Sequence, residues 1–216
     1  MLGLQLSQYG IAPLKILCLG SHCDDIEIGC GGTILRLLSG NKNVEVVWVV
    51  FSSGKERARE ARTSAKLFLK QAKRRKIIVN DFRDGFFPFK GAQIKERFEA
   101  LKDALPDLIF THNRKDAHQD HRLIAELTWN TFRNHLILEY EIPKYDGDLG
   151  HPNFFVPLDQ EIYGKKIRYI LEAFETQRAK QWFGKETFLA LMRLRGMECV
   201  APSGYAEAFY CRKLVL

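Results

Sequence analysis

Two short polar stretches of this chain hold the residue types that bind metals and move protons. The first is Ser21-His22-Cys23-Asp24-Asp25, and the second contains His112, Asp116, His118, Asp120 and His121. A catalytic zinc takes three histidine or carboxylate ligands and keeps one position open for water. His22, Asp25 and His121 supply such a set, and Asp24 beside Asp25 stays free to act as general base. His118 stands three residues before His121, so at a helix entrance the two rings can point the same way, one onto the metal and one toward a substrate oxygen. Taken singly, each stretch also reads as turn and helix-cap chemistry, with Asp116 or Asp120 as a simple N-cap. The metal reading rests on both stretches falling at the same kind of place.

That place is set by the elements around them. Lys15 to Gly20 is a short apolar run, as expected of a strand buried on both faces, and the first polar stretch follows it directly. Thr33 to Leu38 reads as a helix stopping near Gly40, Val44 to Phe51 as a second strand ending in Ser52, Ser53 and Gly54, and Arg57 to Ala72 as a second helix. A short strand over Ile77 to Val79, an aromatic loop over Phe82 to Phe89 and a helix over Gln93 to Ala104 come next. Leu108 to Thr111 is the fourth strand; the second polar stretch follows it and leads into a helix from about His121 to His135.

Strands alternating with helices predict an α/β fold, a Rossmann-like three-layer sandwich with a mostly parallel sheet and helices on both faces. In such sheets ligands bind outside the carboxyl ends of the strands, so the loops after strands one and four can face one crevice. Beyond Leu136 the pattern loosens: a strand over Leu136 to Ile142, a loop over Gly147 to Pro157, a helix over Lys165 to Thr176 and a closing strand over Ala208 to Leu214. Residues 1–216 read as a single domain.

Composition narrows the function classes. With 216 residues and 46% hydrophobic content the chain can bury a sizeable core, which excludes disorder. A net charge of +7 leans toward anionic small molecules without the signature of a nucleic-acid binder. Five cysteines, none spaced as C-x-x-C, suggest neither a disulfide framework nor a zinc knuckle and fit a reducing, cytoplasmic setting. Met1 to Leu14 lacks the features of a secretory leader, and the longest apolar run, Val46 to Phe51, is too short to span a bilayer. The run Gly29-Cys30-Gly31-Gly32-Thr33 raises one rival, a Rossmann-type enzyme binding a nucleotide or S-adenosylmethionine. Its glycines depart from G-x-G-x-x-G spacing, and the second strand ends in serines rather than the acidic residue that grips a ribose.

Ser21-His22-Cys23-Asp24-Asp25 followed by Gly29-Cys30-Gly31-Gly32-Thr33, together with His118-Gln119-Asp120-His121, resembles the paired motifs of the PIG-L/LmbE-like zinc-dependent N-acetylglucosamine deacetylases. Gly54 with Arg57 and Glu60, and Tyr205-Ala206-Glu207-Ala208-Phe209, are weaker echoes. Ser21 and Cys23 stand where the family usually has prolines, and Lys55 follows Gly54 where it usually has Glu. The resemblance implies removal of an N-acetyl group from an amino-sugar conjugate. It implies one Zn2+ per chain on His22, Asp25 and His121, with another divalent metal such as Fe2+ also compatible. Asp24 would take a proton from the activated water, His118 would serve the oxyanion or the departing amine, and Asp120 would steady His118. Arg57 is the candidate for gripping a sugar hydroxyl or phosphate, and His151, Lys166, Gln177 and Glu207 are further candidates for the pocket wall. The expected partner is a small N-acetyl amino sugar, phosphate-bearing in the sharpest version, with no nucleic acid and no membrane span; self-association is left open.

Overall fold

The computed structural model describes residues 12–215, so the reading of Met1 to Leu14 falls mostly outside the described residues. Seven strands form one sheet: β1 Leu14–Gly20, β2 Val44–Ser52, β3 Arg74–Phe82, β4 Leu108–His112, β5 Leu136–Tyr140, β6 Phe154–Pro157 and β7 Ala206–Cys211. Their order is β3-β2-β1-β4-β5-β7-β6. The first five run parallel, while β7 is antiparallel to both β5 and β6. The helices are α1 Asp25–Gly40, α2 Lys55–Phe68, α3 Gly91–Leu101, α4 Gln119–Thr131, α5 Gln160–Ala173 and α6 Lys185–Glu198.

Alternation along each central strand builds two cores. Ile16 and Cys18 of β1 join Trp48, Phe110 and Tyr140 under α1, α2, α5 and α6, whereas Leu17 and Leu19 face the other way with Phe51 and Ile109, under α3 and α4. Both faces are therefore covered, as a parallel sheet requires.

The structure departs from the sequence reading in four places. First, α1 begins at Asp25 rather than Thr33, so the glycine run lies inside a helix. A Cβ on Gly29 would come within 2.2 Å of the Tyr140 ring, and one on Gly31 within 2.5 Å of Phe68. These glycines permit close packing of α1 and form no phosphate loop, which removes the support for the nucleotide-binding rival. Second, β3 is nine residues long because an edge strand has no need of an apolar sequence. Third, β6 occupies the end of the expected Gly147 to Pro157 loop. Fourth, α6 falls where the sequence pattern shows no element.

A carboxylate from the far end of the chain clamps α1. Glu207 on β7 accepts from Gly32 N at 2.8 Å, Thr33 N at 2.6 Å and Thr33 Oγ1 at 2.6 Å. Lys166 of α5 donates to Glu207 at 2.6 Å and to Ile28 O at 2.6 Å, balancing the buried charge.

Candidate metal centre

β1 and β4 are neighbours at the middle of the sheet, and the chain leaves them toward opposite edges. The crevice at their carboxyl ends is the switch point of the fold, and both polar stretches empty into it. It opens as a cavity of about 600 Å3, whose lining includes His22, Asp24, Asp25, His118 and His121.

Three ligand atoms form a compact triangle. His22 Nδ1 is 3.1 Å from His121 Nε2 and 3.5 Å from Asp25 Oδ2, and His121 Nε2 is 3.6 Å from Asp25 Oδ2. Ligands about 2.0–2.1 Å from a tetrahedral zinc are roughly 3.3 Å apart, a spacing that these three edges bracket. The second nitrogens of both rings support the fit. His121 Nδ1 is 2.9 Å from Asp116 Oδ2, so its proton belongs there and Nε2 presents a lone pair. His22 Nε2 faces Asp84 Oδ1 at 3.0 Å and Asp120 Oδ2 at 3.4 Å. With protons drawn to those outer nitrogens, two lone pairs meet at 3.1 Å, an arrangement that wants a cation between them. The surrounding carboxylates favour positive charge at this point, whether a proton or a metal ion: burial opposes charge on the His22 ring, yet Asp25, Asp120 and Asp84 outweigh it and raise its pKa well above the ordinary value.

The sets His22, His118, His121, then His22, Asp84, His118, Asp120, and Asp25, His112, His121 also bring ligand atoms within 4.8 Å of one another, though both Asp120 oxygens already accept from Gly85 N and Phe87 N. His118 Nδ1 is engaged by Asp120 N at 3.2 Å, and His112 is absent from the cavity lining. The chain residues therefore fit a divalent ion best on His22, Asp25 and His121.

The adjacent carboxylates are driven apart. Burial would raise Asp25, but His121, His112 and His22 hold it well below the usual carboxylate range. Burial raises Asp24, and Arg57 only partly offsets it. Arg57 Nη2 reaches Asp24 Oδ1 at 2.9 Å, leaving Asp24 Oδ2 without a partner among the described residues. One carboxylate is thus held in its ionised form, as a metal ligand needs, and the other is shifted toward its protonated form, the division expected of an acid and base pair.

His118 caps α4 and packs its ring on His121 at 4.6 Å between centroids. Because its Nδ1 accepts from Asp120 N, its proton sits on Nε2, where it can donate to a substrate oxygen. Burial and the neighbouring His121 and His22 rings lower its pKa, so the ring is neutral at pH 7.

Several sequence expectations shift in position or partner. The Asp120 carboxylate accepts from Gly85 N at 2.7 Å and Phe87 N at 3.1 Å and faces His22, so it steadies the aromatic loop and His22, while the Asp120 backbone N–H holds the His118 ring at 3.2 Å. Arg57 lines the cavity but is occupied by Asp24, with Glu60 at 3.4 Å. Gln177 lines the same cavity, Lys166 and Glu207 line a separate one of about 20 Å3, and His151 is exposed and lines neither. Sequence reasoning missed the role of His112, whose Nε2 is 3.0 Å from Asp25 Oδ2 and 3.0 Å from Ser21 N. A polar residue closing an apolar strand, LIFTH, was the available signal. Nothing in the sequence marked Asp84 or Lys144, which reaches Asp116 at 3.1 Å.

A family model described as GlcNAc-PI de-N-acetylase, PIG-L, matches residues 17–132. The uncharacterized deacetylase YaiS of Escherichia coli K12 is 29% identical over 145 residues, which is 59% of this chain and 74% of that protein. Among solved structures, the N,N'-diacetylchitobiose deacetylase of Pyrococcus horikoshii superposes with a TM-score of 0.72 at 22% identity, over 91% of this chain and 83% of that one. The conserved protein TT1542 of Thermus thermophilus gives 0.74 at 20% identity, over 94% and 96%. GalB of Pseudomonas putida KT2440, a 4-carboxy-2-hydroxymuconate hydratase, gives 0.74 at 14% identity, over 94% and 98%. These structural likenesses establish the fold, and the hydratase among them means that fold alone does not decide the reaction.

Proposed function

The chain belongs to the PIG-L family of deacetylases, and on that premise we propose that it removes the N-acetyl group from an N-acetylglucosamine-type sugar conjugate, with a zinc ion on His22, Asp25 and His121. The observation that carries this reading is the opposed behaviour of Asp24 and Asp25 beside two histidine nitrogens 3.1 Å apart.

A divalent ion held there supplies Lewis acidity and lowers the pKa of water to about 7. Asp25 and His121 arrive with their outer contacts already made, so the ligand set is preorganised. Asp24 Oδ2 accepts the proton of the attacking water, and Arg57 holds the carboxylate while it does so. His118 Nε2 donates to the acetyl oxygen as negative charge develops there. Proton return to the departing nitrogen falls to Asp24 or His118, which stand beside the ligand set without belonging to it. Asp24 is itself buried, and the lower local dielectric strengthens its contacts.

Among the described residues no helix is long and apolar enough to cross a membrane. The five free thiols support a reducing, cytoplasmic setting. The test is twofold: metal content of the purified protein, expected near one zinc per chain, and acetate release from a panel of N-acetylglucosaminides. A protein that neither carries nor acquires a divalent ion, or releases no acetate from any of them, overturns the reading.

A further inference from the structure

The positive charge of this chain is gathered in one place. Residues 55–76 hold ten Lys and Arg against two Glu, while the remaining residues hold 23 basic against 24 acidic, so the whole excess of +7 belongs to that stretch. It spans α2, the turn after it and the start of β3. On α2, Lys55, Arg59, Arg62 and Lys66 follow one another at intervals of four, three and four, which makes a single exposed stripe along the helix. The opposite face, with Ala61, Ala65 and Phe68, is buried in the core. Lys70 and Lys73 carry the exposed charge through the turn, and Arg74, Arg75 and Lys76 open β3, the edge strand of the sheet.

Of these nine side chains, Arg59 is 3.9 Å from Glu56 and Arg74 is 3.7 Å from Glu45. The others have no carboxylate within ion-pair distance among the described residues. Neighbours one helical turn apart lie inside the Debye length of about 8 Å, so the stripe acts as one field. Charge on an edge strand keeps it from pairing with another chain, which accounts for Arg74, Arg75 and Lys76 and leaves the α2 stripe without a reason.

The same edge ends in apolar surface. β3 runs directly into the loop that holds Phe86, 38% exposed, and Phe89, 77% exposed, with their ring centres 6.0 Å apart. The Arg83 Cζ atom lies 3.7 Å from the centre of the Phe86 ring, and Lys90 is exposed beside Phe89. Basic side chains with open aromatic rings at their margin suit the headgroup layer of a membrane, the charges against anionic lipid and the rings at the acyl boundary. Single-stranded nucleic acid asks for aromatic platforms among the charges, and the one aromatic residue of 55–76, Phe68, is buried. From this we infer that the α2 stripe, the amino end of β3 and the loop with Phe86 and Phe89 form a docking surface for an anionic lipid bilayer. Gly54, just before α2, and Asp84, just after β3, line the 600 Å3 cavity, so a bilayer held there lies beside the mouth of the site. The inference is independent of the reaction assigned to the centre.

The experiment is sedimentation of the full chain with vesicles of phosphatidylcholine, alone or with about 30% phosphatidylglycerol, in about 0.1 M salt. Binding is expected to the anionic vesicles and not to the neutral ones, and is lost in about 0.5 M salt. Each Lys or Arg at such a surface is worth about fivefold in partitioning, so Arg62→Glu, Lys66→Glu and Lys70→Glu together are expected to cut it at least about 100-fold. Phe89→Ala is expected to lower it about three- to tenfold. Arg133→Glu, Arg193→Glu and Lys213→Glu together change the net charge equally around the β5 and β7 side of the sheet, and are expected to leave binding within about threefold. All six replaced side chains are exposed, and melting temperatures at the wild-type level show that any loss is one of charge. Failure to bind anionic vesicles at low salt overturns the surface, as do equal binding to neutral vesicles, retention by the α2 reversal and equal loss in the control. Tighter binding to a duplex DNA probe than to the vesicles, lost with the same α2 reversal, overturns the lipid assignment.

Discussion

Arg57 Nη2 donates to Asp24 Oδ1 across 2.9 Å, and the Arg57 Cζ atom lies 5.5 Å from the centre of the Phe174 ring. The arginine is thereby a holder of the proposed base. Since its charge is among the factors that lower the Asp24 pKa, its removal should raise that pKa further and leave less of the base ionised at neutral pH. Arg57→Leu is expected to cut kcat about 10–100-fold and to move the acidic limb of the pH–rate profile upward, while Arg57→Lys recovers part of both. A change confined to KM would make Arg57 a substrate contact alone.

Asp24→Asn tests the base itself. The amide keeps the shape and cannot accept the proton, so zinc content should stay near one per chain while kcat falls about 10²–10⁴-fold. Metal analysis and acetate release on the same preparation separate this outcome from loss of the site.

His112 is expected to act on metal affinity through Asp25. His112→Phe preserves much of the ring volume but removes the nitrogen 3.0 Å from Asp25 Oδ2. Outer contacts of this kind are worth about 10–100-fold in metal affinity, which a competition titration of the apoprotein would read. An unchanged affinity would make His112 a packing residue only.

Glu27, on the first turn of α1, is fully buried, and neither carboxylate oxygen has a well-formed partner among the described residues. Burial pushes its pKa from 4.5 up to about 8. Between those two values the folded chain holds a proton that the unfolded chain has released, so stability falls as pH rises through that window, by up to about 5 kcal/mol. Glu27→Gln mimics the protonated form. Its melting temperature should match wild type near the lower end of the window and exceed it by several degrees above the upper end. Parallel curves at all pH values would dismiss the effect.

Gly29→Ala places a methyl group against Tyr140, whose hydroxyl is fixed to Leu19 O at 2.6 Å. Overpacking of this kind costs about 1–3 kcal/mol, or roughly 2–4 °C in Tm for each kcal/mol in a chain of this size. Thermal melts would reveal it.

β1, β2 and β4 are legible because a buried parallel strand writes itself as an apolar run, and both polar stretches follow such runs; of the exposed edge strand β3 only Ile77 to Val79 shows. α1 was cut short on paper because three glycines argue locally against helix, while the closeness of Tyr140 and Phe68 demands them there. Near the carboxyl end, β6 is only four residues and half-exposed, so it carries no pattern to read. The roles of Asp84, Lys144 and His112 are matters of distance between segments remote in sequence, which no local spacing encodes.

The grip of Glu207 on Gly32 and Thr33 also bears on how the molecule comes into being. The helix that begins at Asp25 leaves the ribosome long before the carboxylate that satisfies its interior, which emerges 174 residues after Thr33. Until then α1 lacks that clamp, and the nascent amino-terminal half exposes the face it will later bury. Assembly of the centre is thereby deferred until β7 has emerged, and a chain released before that point is left with His22, Asp25 and His121 and without the clamp that holds α1 in place.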